Sequence, residues 1–162
     1  MTDLQWDEVR EFFDPDLMGA LPDLFVPGIT VKDWQTVLDL VTARGWKWQY
    51  SQGDTALPLP TAAEALARPP EAETASLRVW PAPGVLAIFR FMSDTEIDFD
   101  VDLHELQGQK GVDTLCDFLR AIGRELGKPV LMTPEGGSQE HVVLGFDPAA
   151  GKVVLLGDPG SN

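Results

Sequence analysis

The sequence predicts an α+β protein: a two-layer single domain over residues 1–162, with an antiparallel or mixed sheet and two longer helices packed on one face. Three observations predict it. Two stretches, near residues 30 and 110, repeat apolar residues at helical spacing, while several others alternate with a period of two. The strand-like runs follow one another across short turns, which favours antiparallel neighbours. With 162 residues the chain can bury one substantial core.

The opening DLQWDEVREFFDPD reads as a short helix from about Leu4 to Phe13, with Asp3 as N-cap, Trp6, Val9 and Phe13 on one face, and Pro15 beyond its end. LPDLFVPGI is a brief extended segment between prolines. It suits an edge strand or loop, because proline cannot donate to a ladder. TVKDWQTVLDLVTARG is a stronger helix: Thr30 caps it, Asp33 comes close to completing a capping box, and Gly45 stops it. Its stripe is Val31, Trp34, Val37, Leu38 and Val41. GWKWQYSQ then alternates, with Trp46, Trp48 and Tyr50 on one side.

Residues 57–83, rich in proline and alanine, read as an ordered excursion. It carries one short helix, capped by Thr61 with Glu64 and ended by Pro69 and Pro70. LRVWP and GVLAIFRFMS are strands, the second apolar enough to be central and covered on both faces. After an acidic strand, QKGVDTLCDFLRAIGRELGKP forms the second long helix, with Val112, Leu115, Leu119, Ile122 and Leu126 as its stripe and Gly127 and Pro129 closing it. The strand PVLM, the glycine-rich loop TPEGGSQE, and a hairpin pairing HVVLGFD with KVVLLGD complete the order.

Charge narrows the function. Twelve Lys and Arg against 26 Asp and Glu give a net charge of −14. Such a field repels nucleic-acid backbones and anionic membranes, and suits a basic protein partner. No stretch has the roughly 20 apolar residues of a membrane span. The start lacks the basic and apolar regions of a secretory signal, so a cytoplasmic location is expected. A single cysteine, Cys116, excludes an internal disulfide and a cysteine-rich zinc site.

The segment DTEIDFDVDLHELQ concentrates that charge. Ile97, Phe99, Val101 and Leu103 alternate with Asp98, Asp100, Asp102 and His104, the pattern of a half-buried strand. A hairpin register that sets Phe91, Phe89 and Ala87 opposite Ile97, Phe99 and Val101 joins two apolar faces and puts Arg90 opposite Asp98. Slipping by one residue would set aromatics against aspartates. The aspartates therefore face outward or line a groove.

Three chemistries compete for this strand. D-x-D-x-D-x-H offers metal ligands, but same-face neighbours lie about 6.5–7 Å apart and the outer two aspartates about 13 Å, too far for one ion. Paired carboxylates can hydrolyse glycosides, but no separate sugar-binding groove is visible. Docking to a basic protein explains why Asp94, Glu96, Asp98, Asp100, Asp102 and Glu105 gather without a Lys or Arg among them. The bland counterpart is a solvated strand face that discourages edge pairing. Docking is the favoured reading, with these six acids as partner-binding residues and no metal, cofactor or catalytic group.

Elsewhere the bland reading is stronger. Trp46, Trp48 and Tyr50 beside an apolar helix suit core, and Cys116 falls near a buried stripe. Ser138 and His141 are three residues apart in a glycine-rich loop without a nucleophile-elbow pattern. PEGGS lacks the lysine and following helix of a phosphate loop.

Taken together, LPDLFVPGITVKDWQTVLDLV, LRVWPAPGVLAIFRF, EIDFDVDLHELQGQ and FLRAIGRELGKPVLMTPEG resemble small acidic bacterial immunity proteins of polymorphic or contact-dependent toxin systems, over most of the chain. The family has no catalytic signature, so it transfers no residue's role. The resemblance implies a non-enzyme that binds and neutralises a cognate toxin domain with a basic surface. A nuclease fits best, because acidic side chains can take the place of its substrate's phosphates. The alternative is an acidic secretion chaperone or adaptor that binds a client protein; a small hydrolase built on the acidic strand or on Ser138 and His141 comes third.

Overall fold

Alternation at period two decides which face each strand turns to the helices, and the fold follows from it. The computed structural model describes residues 2–159. They run α1 (Trp6–Val9), a 3-10 turn (Arg10–Phe13), α2 (Pro15–Met18), β1 (Asp23–Pro27), α3 (Val31–Ala43), β2 (Lys47–Gln52), β3 (Thr55–Leu57) and α4 (Ala62–Leu66). There follow β4 (Ala75–Ala82), β5 (Val85–Arg90), β6 (Glu96–Val101), a 3-10 turn (Leu103–Glu105), α5 (Gly108–Leu126), β7 (Val130–Thr133), β8 (Leu144–Asp147) and β9 (Lys152–Leu155). The nine described strands form one antiparallel sheet in the order β3-β2-β4-β5-β6-β1-β7-β8-β9. This is the α+β class the pattern predicts.

Both long helices begin and end for local reasons. At α3, Thr30 Oγ1 accepts from the Asp33 backbone N–H and Asp33 returns the bond to Thr30, a complete capping box. α5 stops at Gly127, whose φ of 66° is a left-handed cap that side chains resist. Gly123 lets the same helix approach β8, since a Cβ there would lie 2.1 Å from the Phe146 ring.

The two helices pack together over one face of the sheet. Phe89 of β5 and Phe99 of β6 stack with ring centroids 4.5 Å apart, and Phe118 of α5 meets both edge-on, at 6.1 and 5.7 Å. Trp34 of α3 is fully buried against Phe91, and its Nε1 donates to the Ser93 carbonyl at 2.8 Å. That bond ties the β5–β6 connection to the helix layer. Tyr50 is buried, while Trp46 and Trp48 pack on the margin of the core.

The structure corrects four expectations. The segment read as an edge strand or loop is β1, inside the sheet between β6 and β7. Its prolines do no harm there: Pro22 precedes the strand and Pro27 closes it, so Asp23 to Val26 all keep their N–H groups. An unexpected strand, β3, runs into the start of the Pro- and Ala-rich excursion, across a turn at Gly53 and Asp54.

The first helix is split, and Asp3 does not cap it; Gln5 occupies that position. Asp3 instead pairs with Arg120 at 2.7 Å and accepts the Val153 N–H at 2.9 Å, while Pro15 opens α2. Finally, β5 is not covered on both faces. Val85, Ala87 and Phe89 are buried, but Leu86, Ile88 and Arg90 are only half-buried on the face without helices.

Candidate functional site

β6 pairs with β5 in the register that joins the apolar faces: Ala87 with Val101, Phe89 with Phe99 and Arg90 with Asp98. Ile97, Phe99 and Val101 therefore enter the core, and Glu96, Asp98 and Asp100 stand half-buried on the open face. The row ends there. Asp102 leaves the strand to cap the following 3-10 turn, accepting from the His104 backbone N–H, and its Oδ1 lies 2.9 Å from His104 Nδ1.

The interior position of β1 creates a cluster that β6 alone does not have. Asp23 of β1 sits opposite Asp100, and Phe25 opposite Asp98, on the same open face. One strand further, Thr133 of β7 stands opposite Asp23. The loop after β7 then folds back over these residues. Gln139 Nε2 donates to Glu96 at 3.0 Å, and the Gly136 N–H donates to Asp23 Oδ2 at 3.3 Å. Between loop and sheet lies a groove of about 310 Å³, with Asp23, Phe25, Asp98, Asp100, Thr133 and Gln139 among its walls.

The carboxylates of this groove are unequal. Burial is the main cause that pushes Asp98 up to about 7, aided by a hydrogen bond with Glu96 and by the negative charges of Glu96 and Asp23. Burial also raises Asp100, opposed by its hydrogen bond and ion pair with Arg90; Asp23 and Glu135 push it further up. At neutral pH the groove thus holds an aspartate poised between its two forms beside one neutralised by an arginine.

Of the six acids predicted to bind a partner, Glu96, Asp98 and Asp100 come together here. Asp102 and Glu105 lie outside the groove's lining and make local contacts, Asp102 at its cap and Glu105 by accepting the Leu86 N–H at 3.0 Å. Asp94 is exposed on a second, larger groove of about 750 Å³ between α4, the loop after it and the end of β5. Met92, 70 % exposed, borders both grooves.

Asp23, Thr133 and Gln139 were not predicted. Asp23 was legible only as the open-face partner of Phe25 in a strand placed beside β6. Of the other candidates, Cys116 is buried, with burial chiefly pushing its thiol up to about 12, and the Ser138 hydroxyl accepts from the Glu140 backbone. The His141 ring lies 3.1 Å from the Asp158 carbonyl oxygen. Among the described residues no three His, Cys, Asp or Glu side chains are arranged to hold a metal ion, and no helix is long and apolar enough to cross a membrane. Compared with known proteins, the chain matches no family model, no curated protein and no solved structure.

Proposed function

We propose that this protein is a non-enzymatic inhibitor of the immunity type, which neutralises a bacterial toxin domain by presenting the open-face cluster of Glu96, Asp98 and Asp23 to a basic surface. The observation that carries the reading is the cluster itself: Asp98 stands half-buried beside Glu96 and diagonal to Asp23 on the open face. Burial among these acids pushes its carboxyl up to about 7, and an approaching positive charge would favour its ionised form. Binding and ionisation then reinforce each other. The net charge of −14 adds long-range attraction toward a basic partner and discourages other acidic proteins. A nuclease toxin fits this chemistry best, since its substrate site must be positive to hold phosphates.

A pull-down with the product of a neighbouring toxin gene tests the reading. Binding at submicromolar concentration together with loss of toxin activity is expected. Absence of binding at micromolar concentration contradicts it, and binding without inhibition favours the chaperone or adaptor alternative.

A further inference from the structure

We propose that the groove above β1 and β7 receives one lysine side chain of the partner, its ammonium held by the Asp98 and Asp23 carboxylates and the Thr133 hydroxyl. This rests on the docking reading above and names what enters the site.

Thr133 supplies the independent observation. It is 1 % exposed, and its hydroxyl makes no hydrogen bond among the described residues. A buried hydroxyl without a partner is disfavoured. Yet every fully sealed side-chain oxygen or nitrogen among the described residues has a partner, so this hydroxyl must open into the groove that Thr133 lines. It stands directly across from Asp23, and Asp23 is diagonal to Asp98. Three adjacent strands thus present oxygen acceptors toward one space.

The acceptors favour an ammonium over other cations. A lysine carries three donors on one atom, which can reach acceptors on separate strands. A guanidinium presents a planar fork suited to both oxygens of one carboxylate. Here Asp23 Oδ2 already accepts from Gly136, Asp100 is already paired with Arg90, and Glu96 already accepts from Gln139. Asp98, whose hydrogen bond with Glu96 lasts only while the pair keeps a proton, and the second oxygen of Asp23 remain. Phe25 and Met92, also lining the groove, offer apolar surface to the methylene stem. A free amino acid fits less well, because Arg90, the cation lining the groove, is taken by Asp100. A side chain whose backbone stays outside meets no such conflict.

The charged groups around Asp98 are Glu96 and Asp100 on its own strand, Asp23 on β1 and Arg90 opposite it on β5, with Glu135 of the returning loop acting on Asp100. They are net acidic, so ammonium binding should tighten between about pH 6 and about pH 8 as Asp98 gives up its proton.

The test is a backbone-amide NMR titration of the full chain with n-butylammonium, with n-butanol as the uncharged control. Saturable shifts confined to residues 23–25, 96–100 and 133–139 are expected, and none with n-butanol. Thr133→Val should weaken apparent affinity about two- to tenfold, the size of one hydrogen bond, while Thr133→Ser retains it. Amide dispersion checks that both variants fold. Non-saturating shifts spread over the acidic surface, or equal affinity in Thr133→Val, would overturn the lysine assignment. If a toxin domain binds while butylammonium does not, only this assignment falls. If butylammonium binds here and no toxin domain does, the lysine pocket stands and the immunity reading falls.

Discussion

Two faces of one sheet treat the same strand in opposite ways. On the helix-covered face Ile97, Phe99 and Val101 are at most 2 % exposed, whereas Glu96, Asp98 and Asp100, one residue away, keep partial contact with water. A similar contrast separates two aspartates. Asp3, on the helix side, has a side chain 4 % exposed, and its Oδ2 is held by Arg120 and the Val153 N–H. Asp98, on the open face, is less buried yet has acids for neighbours and is pushed up to about 7. Burial alone does not make a carboxylate costly; burial without compensating positive charge does. Where compensation comes from within the chain, the group is structural. Where it does not, the group can respond to a partner.

The sharpest way to break this contrast is in the core. Phe118→Ala removes the ring that bridges Trp46, Phe89 and Phe99, and should lower stability by about 3–5 kcal/mol in urea unfolding. A loss below about 1 kcal/mol would mean that the two layers are held elsewhere. Next comes Asp3→Ala, which leaves Arg120 with Asp117 as its remaining carboxylate and the Val153 N–H without its acceptor; a loss of about 1–3 kcal/mol is expected.

Asp98→Asn should act in the other direction. The folded value near 7 lies above the unfolded 3.8, so the native state keeps a proton that the unfolded chain releases between those limits. The stability contributed by the protonated group is therefore complete below 3.8, declines as pH rises, and is lost above about 7. The asparagine variant should match the parent in acid and exceed it above neutrality. Because the group is half-exposed, solvent screening limits the gain to on the order of 1 kcal/mol. A constant difference across the range, seen in unfolding midpoints at several pH values, would contradict the assignment. The smallest effect belongs to Asp102→Ala, about 0.5–1 kcal/mol from a lost cap, with partner binding little changed.

The fold was legible wherever one local pattern met no rival. Thr30 with Asp33, Thr61 with Glu64, and the stripe of Val112, Leu115, Leu119 and Ile122 name their helices directly, and the alternation of Phe89 and Arg90 against Phe99 and Asp98 fixes a register. The order of strands in the sheet was less accessible. Proline at both ends of Asp23–Pro27 looks like an edge signal, but pairing on both sides depends only on the residues between. The short hairpin at Gly53 and Asp54 carries a recognisable two-residue turn, masked by the prolines and alanines that follow.

The site inherits those gaps. Glu96, Asp98 and Asp100 are adjacent in sequence and stand out there. Asp23, Thr133 and Gln139 join them only through the placement of β1 and the return of the loop after β7. Nor could charge alternation reveal that Arg90 would pair with Asp100, diagonal to it, instead of Asp98 directly opposite. Side-chain reach across a twisted sheet decides that choice.

Calorimetric titration of the toxin domain against two charge reversals tests the central claim most directly. The double variant Asp23→Lys with Asp98→Lys places positive charge inside the groove, and Asp94→Lys adds one on the separate groove beyond Met92. With folding verified for each, the double variant should lose at least about thirtyfold in affinity, while Asp94→Lys should change it only slightly at moderate salt. Comparable losses in both, or none in the double variant, would show that the acids of the open face do not select the partner.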